Sequence, residues 1–93
     1  MIIGNVIGNV WATRKDEKLN GLKFLVIKPI NYTSNNDASV FVAVDSVGAG
    51  IGETVLVVKG SSARVSLSEE TIPVDATIVG IIDTVDIDES IIE

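Results

Sequence analysis

The chain has 93 residues, no cysteine, no histidine and a formal net charge of −6. It is therefore expected to be a single domain, residues 1–93, without disulfides, thiolate or imidazole metal sites, or a Ser-His-Asp triad. The acidic balance and an aromatic content of 4% argue against a nucleic-acid surface, which needs Lys and Arg for phosphates and rings for stacking.

Hydrophobic residues make up 46% of the chain and the mean hydropathy is +0.43. No apolar run reaches the roughly 18–20 residues of a membrane span. The start, Met1 to Asn5, lacks the basic residues of a secretory signal. A cytoplasmic protein is expected, with its apolar excess going into subunit contacts or into a well-packed core.

Valine and isoleucine account for 27 of the 93 residues and leucine for five. Such β-branched side chains lose rotamer freedom in helices and fit pleated sheets, so the chain should be all-β. The first strand is expected over Ile2 to Thr13, with Gly4 and Gly8 marking bends or close backbone approaches. A charged loop, Arg14 to Lys18, leads to the turn signal Asn20-Gly21. The second strand is Leu22 to Ile30, with Pro29 near its end. Asn31 to Ser39 is a polar loop with Ser34-Asn35-Asn36-Asp37 as its turn. The third strand is Val40 to Asp45, with Val40, Val42 and Val44 on one face and Phe41, Ala43 and Asp45 on the other. After a glycine loop comes the fourth strand, Thr54 to Lys59. Gly60 to Asp75 contains a short helix capped by a serine of Ser61-Ser62. The fifth strand is Ala76 to Ile87, apolar on both faces and able to bend at Gly80. Five strands with one short helix between the fourth and fifth suit a small OB-like β-barrel.

The glycine loop alternates Gly48, Gly50 and Gly52 behind a strand. A dinucleotide cradle needs G-x-G-x-x-G followed by a helix, and a P-loop ends in Gly-Lys-Ser/Thr. Here the spacing is G-x-G-x-G, the loop ends in Gly52-Glu53-Thr54, and a strand follows. Phosphate binding is therefore set aside. The glycines serve either a tight turn with positive φ or a close approach of backbone to backbone, as at a symmetry axis. Gly60-Ser61-Ser62-Ala63-Arg64 breaks the nucleophile-elbow pattern at Arg64, and its serines are turn or capping residues. Asp83, Asp86, Asp88 and Glu89 lack the order of a calcium loop and form a solvated acidic end. Trp11 is a core or interface anchor, and Lys23 and Arg64 are isolated cations beside apolar strands, suited to subunit contacts.

Several of these stretches together carry a resemblance. They are Val10-Trp11-Ala12-Thr13-Arg14-Lys15 with Leu19-Asn20-Gly21-Leu22-Lys23, then Val42-Ala43-Val44-Asp45-Ser46-Val47-Gly48-Ala49-Gly50 with Gly52-Glu53, then Gly60-Ser61-Ser62-Ala63-Arg64, then Pro73-Val74-Asp75 leading into Ile78-Val79-Gly80-Ile81-Ile82-Asp83. In this order, over nearly the whole chain, they resemble the EutN/CcmL family of pentameric vertex proteins of bacterial microcompartment shells. The resemblance implies a five-stranded OB-like barrel in a cyclic homopentamer, whose partners are hexameric shell proteins. It implies neither catalysis nor a cofactor, metal, nucleic acid or membrane. Within it, Gly48, Ala49 and Gly50 are expected near the five-fold axis, and Trp11, Lys23, Arg64, Ile91 and Ile92 at subunit interfaces. The chain departs from the family in its short tail, Asp88 to Glu93. The alternative reading is an OB-fold binding module for a small ligand or single-stranded nucleic acid. A third, an enzyme or metal protein built on the acidic cluster or the serines, has the least support.

Overall fold

A computed structural model describes residues 1–12, 17–19, 21–30, 39–60 and 74–92, with the side chains of Glu89 and Ile92 outside that set. Five strands are present: β1 (Ile2–Val10), β2 (Lys23–Pro29), β3 (Phe41–Asp45), β4 (Thr54–Lys59) and β5 (Ala76–Ile82). A 3-10 turn, Glu17–Leu19, precedes β2, and a single helical turn, α1 (Glu89–Ile92), follows β5. The strands close into a barrel in the order β1-β2-β3-β5-β4. Neighbours are antiparallel except β3 and β5, which run parallel through Val44↔Thr77 and Asp45↔Ile78.

Period-two alternation puts one set of side chains inside. Val6, Leu25, Ile27, Ala43, Val55, Val57, Ala76 and Ile78 fill the interior, each at most 2% exposed. Val44 and Val58, one step on from Ala43 and Val57, face outward. They are nevertheless buried in a second cluster with Val74, packed by Leu19, Leu22, Phe24 and Val79. A Cβ added at Gly4 would stand 2.5 Å from Cγ2 of Ile27, so β1 and β2 pack too closely there for any side chain. Past Val6 the register with β2 shifts at a bulge, which leaves Ile7 half exposed.

All five expected strands begin within one residue of where they are observed. The first strand ends at Val10 rather than Thr13, with Trp11 and Ala12 beyond the ladder. The fifth ends at Ile82 rather than Ile87, because β4, its antiparallel partner, starts at Thr54 opposite Ile82 and offers nothing further to pair with. The chain then runs without ladder partners to α1. The short helix expected between the fourth and fifth strands falls in residues 61–73, outside the described residues.

Candidate functional site

β1, β3 and β5 finish at the same end of the barrel where β2 and β4 begin. The glycine loop that joins β3 to β4 crosses this end. Its entry is an Asx turn: Oδ1 of Asp45 accepts the N–H groups of Val47 at 3.0 Å and Gly48 at 3.1 Å. The hydroxyl of Ser46 donates to the carbonyl of Ile78 at 2.6 Å and ties the loop to β5. Ala49 then points inward and joins the core, 1% exposed, so it stoppers the barrel mouth. At the exit, Oε1 of Glu53 accepts the N–H of Gly50 at 2.7 Å, and Gly52 donates to the carbonyl of Val6 at 2.8 Å.

The three alternating glycines are not equivalent. Gly48 and Gly52 have φ of 81° and 94°, which any L side chain resists. Gly50 has no such φ, and a Cβ there would meet only Oε1 of Glu53 at 3.5 Å, an ordinary contact. The turn thus accounts for Gly48 and Gly52, and the core accounts for the small side chain of Ala49. The described residues of this chain place no demand for glycine at position 50.

Lys23, at the start of β2, donates to the carbonyl of Ala49 at 2.8 Å and pairs with Oδ2 of Asp45 at 3.7 Å. The Asp45 side chain is 2% exposed and that of Lys23 is 52% exposed. Beside this clamp lies an open cleft of about 600 Å³ between the end of β1, the start of β2 and the loop. Its walls include Val10, Trp11, Leu22, Phe24, Gly50 and Ile51, with Lys23 as the charged member. Trp11 is 91% exposed and Ile51 61% exposed, large apolar side chains left in water in a lone protomer.

Of the residues singled out in the sequence, Gly48, Ala49, Gly50, Trp11 and Lys23 gather at this one end. Ile91 stands apart on α1, 78% exposed. Arg64 and the Ile92 side chain lie outside the described residues. Sequence reasoning missed Ile51, although an isoleucine between two glycines in a loop cannot serve a strand face and is a signal of contact. It also missed the buried role of Asp45, legible in Asp45-Ser46-Val47-Gly48 as an Asx turn. Asp83, Asp86 and Asp88 are exposed, and no group of three or more metal-ligating side chains converges among the described residues.

The family model described as ethanolamine utilisation protein EutN/carboxysome matches residues 1–83. A bacterial microcompartment shell vertex protein, GrpN of Rhodospirillum rubrum, is 48% identical over 92% of this chain and 97% of its own length. The solved structure of CcmL from Gloeobacter violaceus superposes with a TM-score of 0.86 at 43% identity, covering 95% of this chain and 91% of that one. That of the GrpN pentameric microcompartment shell protein from Rhodospirillum rubrum gives 0.82 at 45% identity, covering 96% and 100%. In fold and in sequence along nearly its full length, the chain belongs to the EutN/CcmL family.

Proposed function

We propose that this protein is a structural component of a bacterial microcompartment shell in the cytoplasm, acting as a cyclic homopentamer that closes the vertices of the polyhedron. The observation that carries the reading is the near-full-length identity to a relative named as a shell vertex protein, together with the related structure described as pentameric. The exposed apolar side chains at the loop end of the barrel supply the surface that such a ring would bury. A flat sheet of hexagonal tiles cannot close on itself, and five-fold units in it introduce the curvature that lets it close. Hexameric shell proteins are accordingly the partners, and no catalytic step is involved. Gly48 and Gly50 belong near the five-fold axis, where copies of the loop converge, with Ala49 facing into its own barrel behind them.

Native mass spectrometry at micromolar concentration tests the ring: five copies are expected, and a monomer or dimer overturns the reading. Co-expression with hexameric tiles tests the role. Closed polyhedra are expected when this protein is present, and open sheets or tubes when it is omitted. The second reading, a binding module of OB type, draws on the 600 Å³ cleft. It requires that the cleft stay open to solvent in the assembled protein and take up a ligand there.

A further inference from the structure

A ring closed by rotation needs two different faces on each subunit, each meeting the other on the next copy. Four of the large apolar side chains exposed in this protomer, Trp11, Ile51, Ile87 and Ile91, fall on two such faces. One face is the cleft at the β1–β2 seam, with Trp11 and Ile51 on its walls and Lys23 as its charge. The other is the chain beyond β5. Residues 83–88 have no ladder partners, Ile87 is 37% exposed, and Ile91 stands out on α1.

Two features of the topology relate these faces. In the order β1-β2-β3-β5-β4, β5 pairs with β3 and β4 and with neither β1 nor β2. The root of the tail is therefore on the opposite flank of the barrel from the seam. Yet β1 and β5 run toward the same end of the barrel, where the cleft opens and the tail leaves β5. A ring axis along the barrel would carry the tail of one copy round to that same end of the next.

The chemistry of the two faces matches. The cleft is apolar with one cation, and the tail presents isoleucines beside the exposed Asp86. An ammonium has three N–H donors. Among the described residues Lys23 directs one to the Ala49 carbonyl and one toward Asp45, and its side chain is still half exposed. Asp88 is engaged at home, accepting the N–H of Ser90 at 3.0 Å, which fixes the direction in which α1 leaves the tail.

We propose that the segment from Asp83 to Ile91 of each subunit seats in the Trp11–Ile51 cleft of its neighbour, with Ile87 and Ile91 against the apolar walls and Asp86 toward Lys23. This rests on the ring assembly proposed above and assigns its two complementary faces. It also fills the cleft with a second copy of this chain rather than with a small ligand.

The chain has no cysteine, so a pair can be introduced without background. An Ile51→Cys, Ile91→Cys variant treated with a short bis-maleimide should give a denaturing-gel ladder that climbs to five copies. A variant that native mass spectrometry shows to be pentameric, yet that runs as a monomer after treatment, overturns the proposal. An Ile87→Asp, Ile91→Asp variant should raise the concentration at which rings dissociate by about tenfold or more, as loss of central apolar contacts does. Rings that dissociate at the wild-type concentration overturn it as well. A wild-type protein that forms no ring at all would instead sink the assembly reading itself, which separates the two failures.

Discussion

Lys23 and Ala49 are joined across the mouth of the barrel, 26 residues apart in the chain, by a 2.8 Å hydrogen bond from Nζ to the carbonyl oxygen. The same ammonium faces the carboxylate of Asp45, whose side chain is nearly inaccessible to water. One cation thus holds both the entry and the middle of the glycine loop. It also sits in the wall of the cleft, so the shape of the cleft depends on it.

Replacing Lys23 with methionine keeps the stem and removes the donors. The Ala49 carbonyl and the Asp45 carboxylate then lose a partner, at a cost of about 1–2 kcal/mol. At a fixed protein concentration the thermal midpoint should fall by roughly 4–8 °C for each kcal/mol in a domain of this size. Lys23→Arg should recover less than full stability, since a planar guanidinium does not reproduce the point-charge geometry. A midpoint unchanged in Lys23→Met would show that the clamp contributes nothing.

Trp11 is the one tryptophan in the chain, which makes its fluorescence a reporter of the cleft. Its ring is almost wholly exposed in the protomer and should be covered in the ring. Dilution through the dissociation range should therefore shift its emission to longer wavelength. Trp11→Ala should leave the β-sheet circular dichroism intact while weakening assembly by about 2 kcal/mol or more per contact, as an interface anchor would. Loss of the folded barrel in Trp11→Ala would place this residue in the protomer core instead.

Gly4→Ala puts a Cβ at 2.5 Å from the Ile27 methyl, where β1 and β2 pack closely. Overpacking of this kind costs about 1–3 kcal/mol. Chemical denaturation should show a lower midpoint with the same slope. Gly8→Ala, whose Cβ would stand 3.8 Å from Val26, should be close to neutral in the same experiment.

The glycine loop separates local from assembly effects. Gly48→Ala must hold φ of 81° and should lose about 1–2 kcal/mol in protomer stability. Gly50→Leu meets no backbone penalty of that kind, so a loss of pentamers with the barrel intact would assign the glycine to a neighbouring copy. Pentamers as stable as wild type in Gly50→Leu would remove this loop from the axis. Ala49→Trp is a different experiment, because Ala49 fills the barrel mouth; it should unfold the protomer.

The strands were largely legible because their cause is local. Val55, Val57 and Val58 or Leu25 and Ile27 carry β-branched or apolar side chains in runs bounded by turn residues. The misjudged ends had causes in other strands: β5 stops where β4 gives out, and no property of Asp83 or Val85 announces that. The faces of β3 were read correctly as alternating, but alternation did not show that Val44 is buried and Val42 half exposed, because the covering of Val44 by Leu19, Phe24 and Val74 comes from distant segments. At the site, residue types identified Trp11 and Lys23 as unusual. The partnership of Lys23 with Ala49 and Asp45 was hidden, since it depends on which strand end the loop crosses.

Barrel closure also imposes an order of events during synthesis. The pairs Ile2↔Val57 and Asn5↔Thr54 join β1, the first strand made, to β4. At about 5–20 residues per second, β1 waits through the synthesis of β2 and β3 before its second neighbour exists. The pairing of β5 with both β3 and β4 comes later still. Such distant pairings make for slow folding, in milliseconds to seconds, compared with helical domains. The cleft is built from the end of β1, the start of β2 and the β3–β4 loop, and its surface does not exist until these have met. Each subunit therefore becomes competent to join a ring only after its own chain has closed, and folding is a kinetic checkpoint placed ahead of assembly.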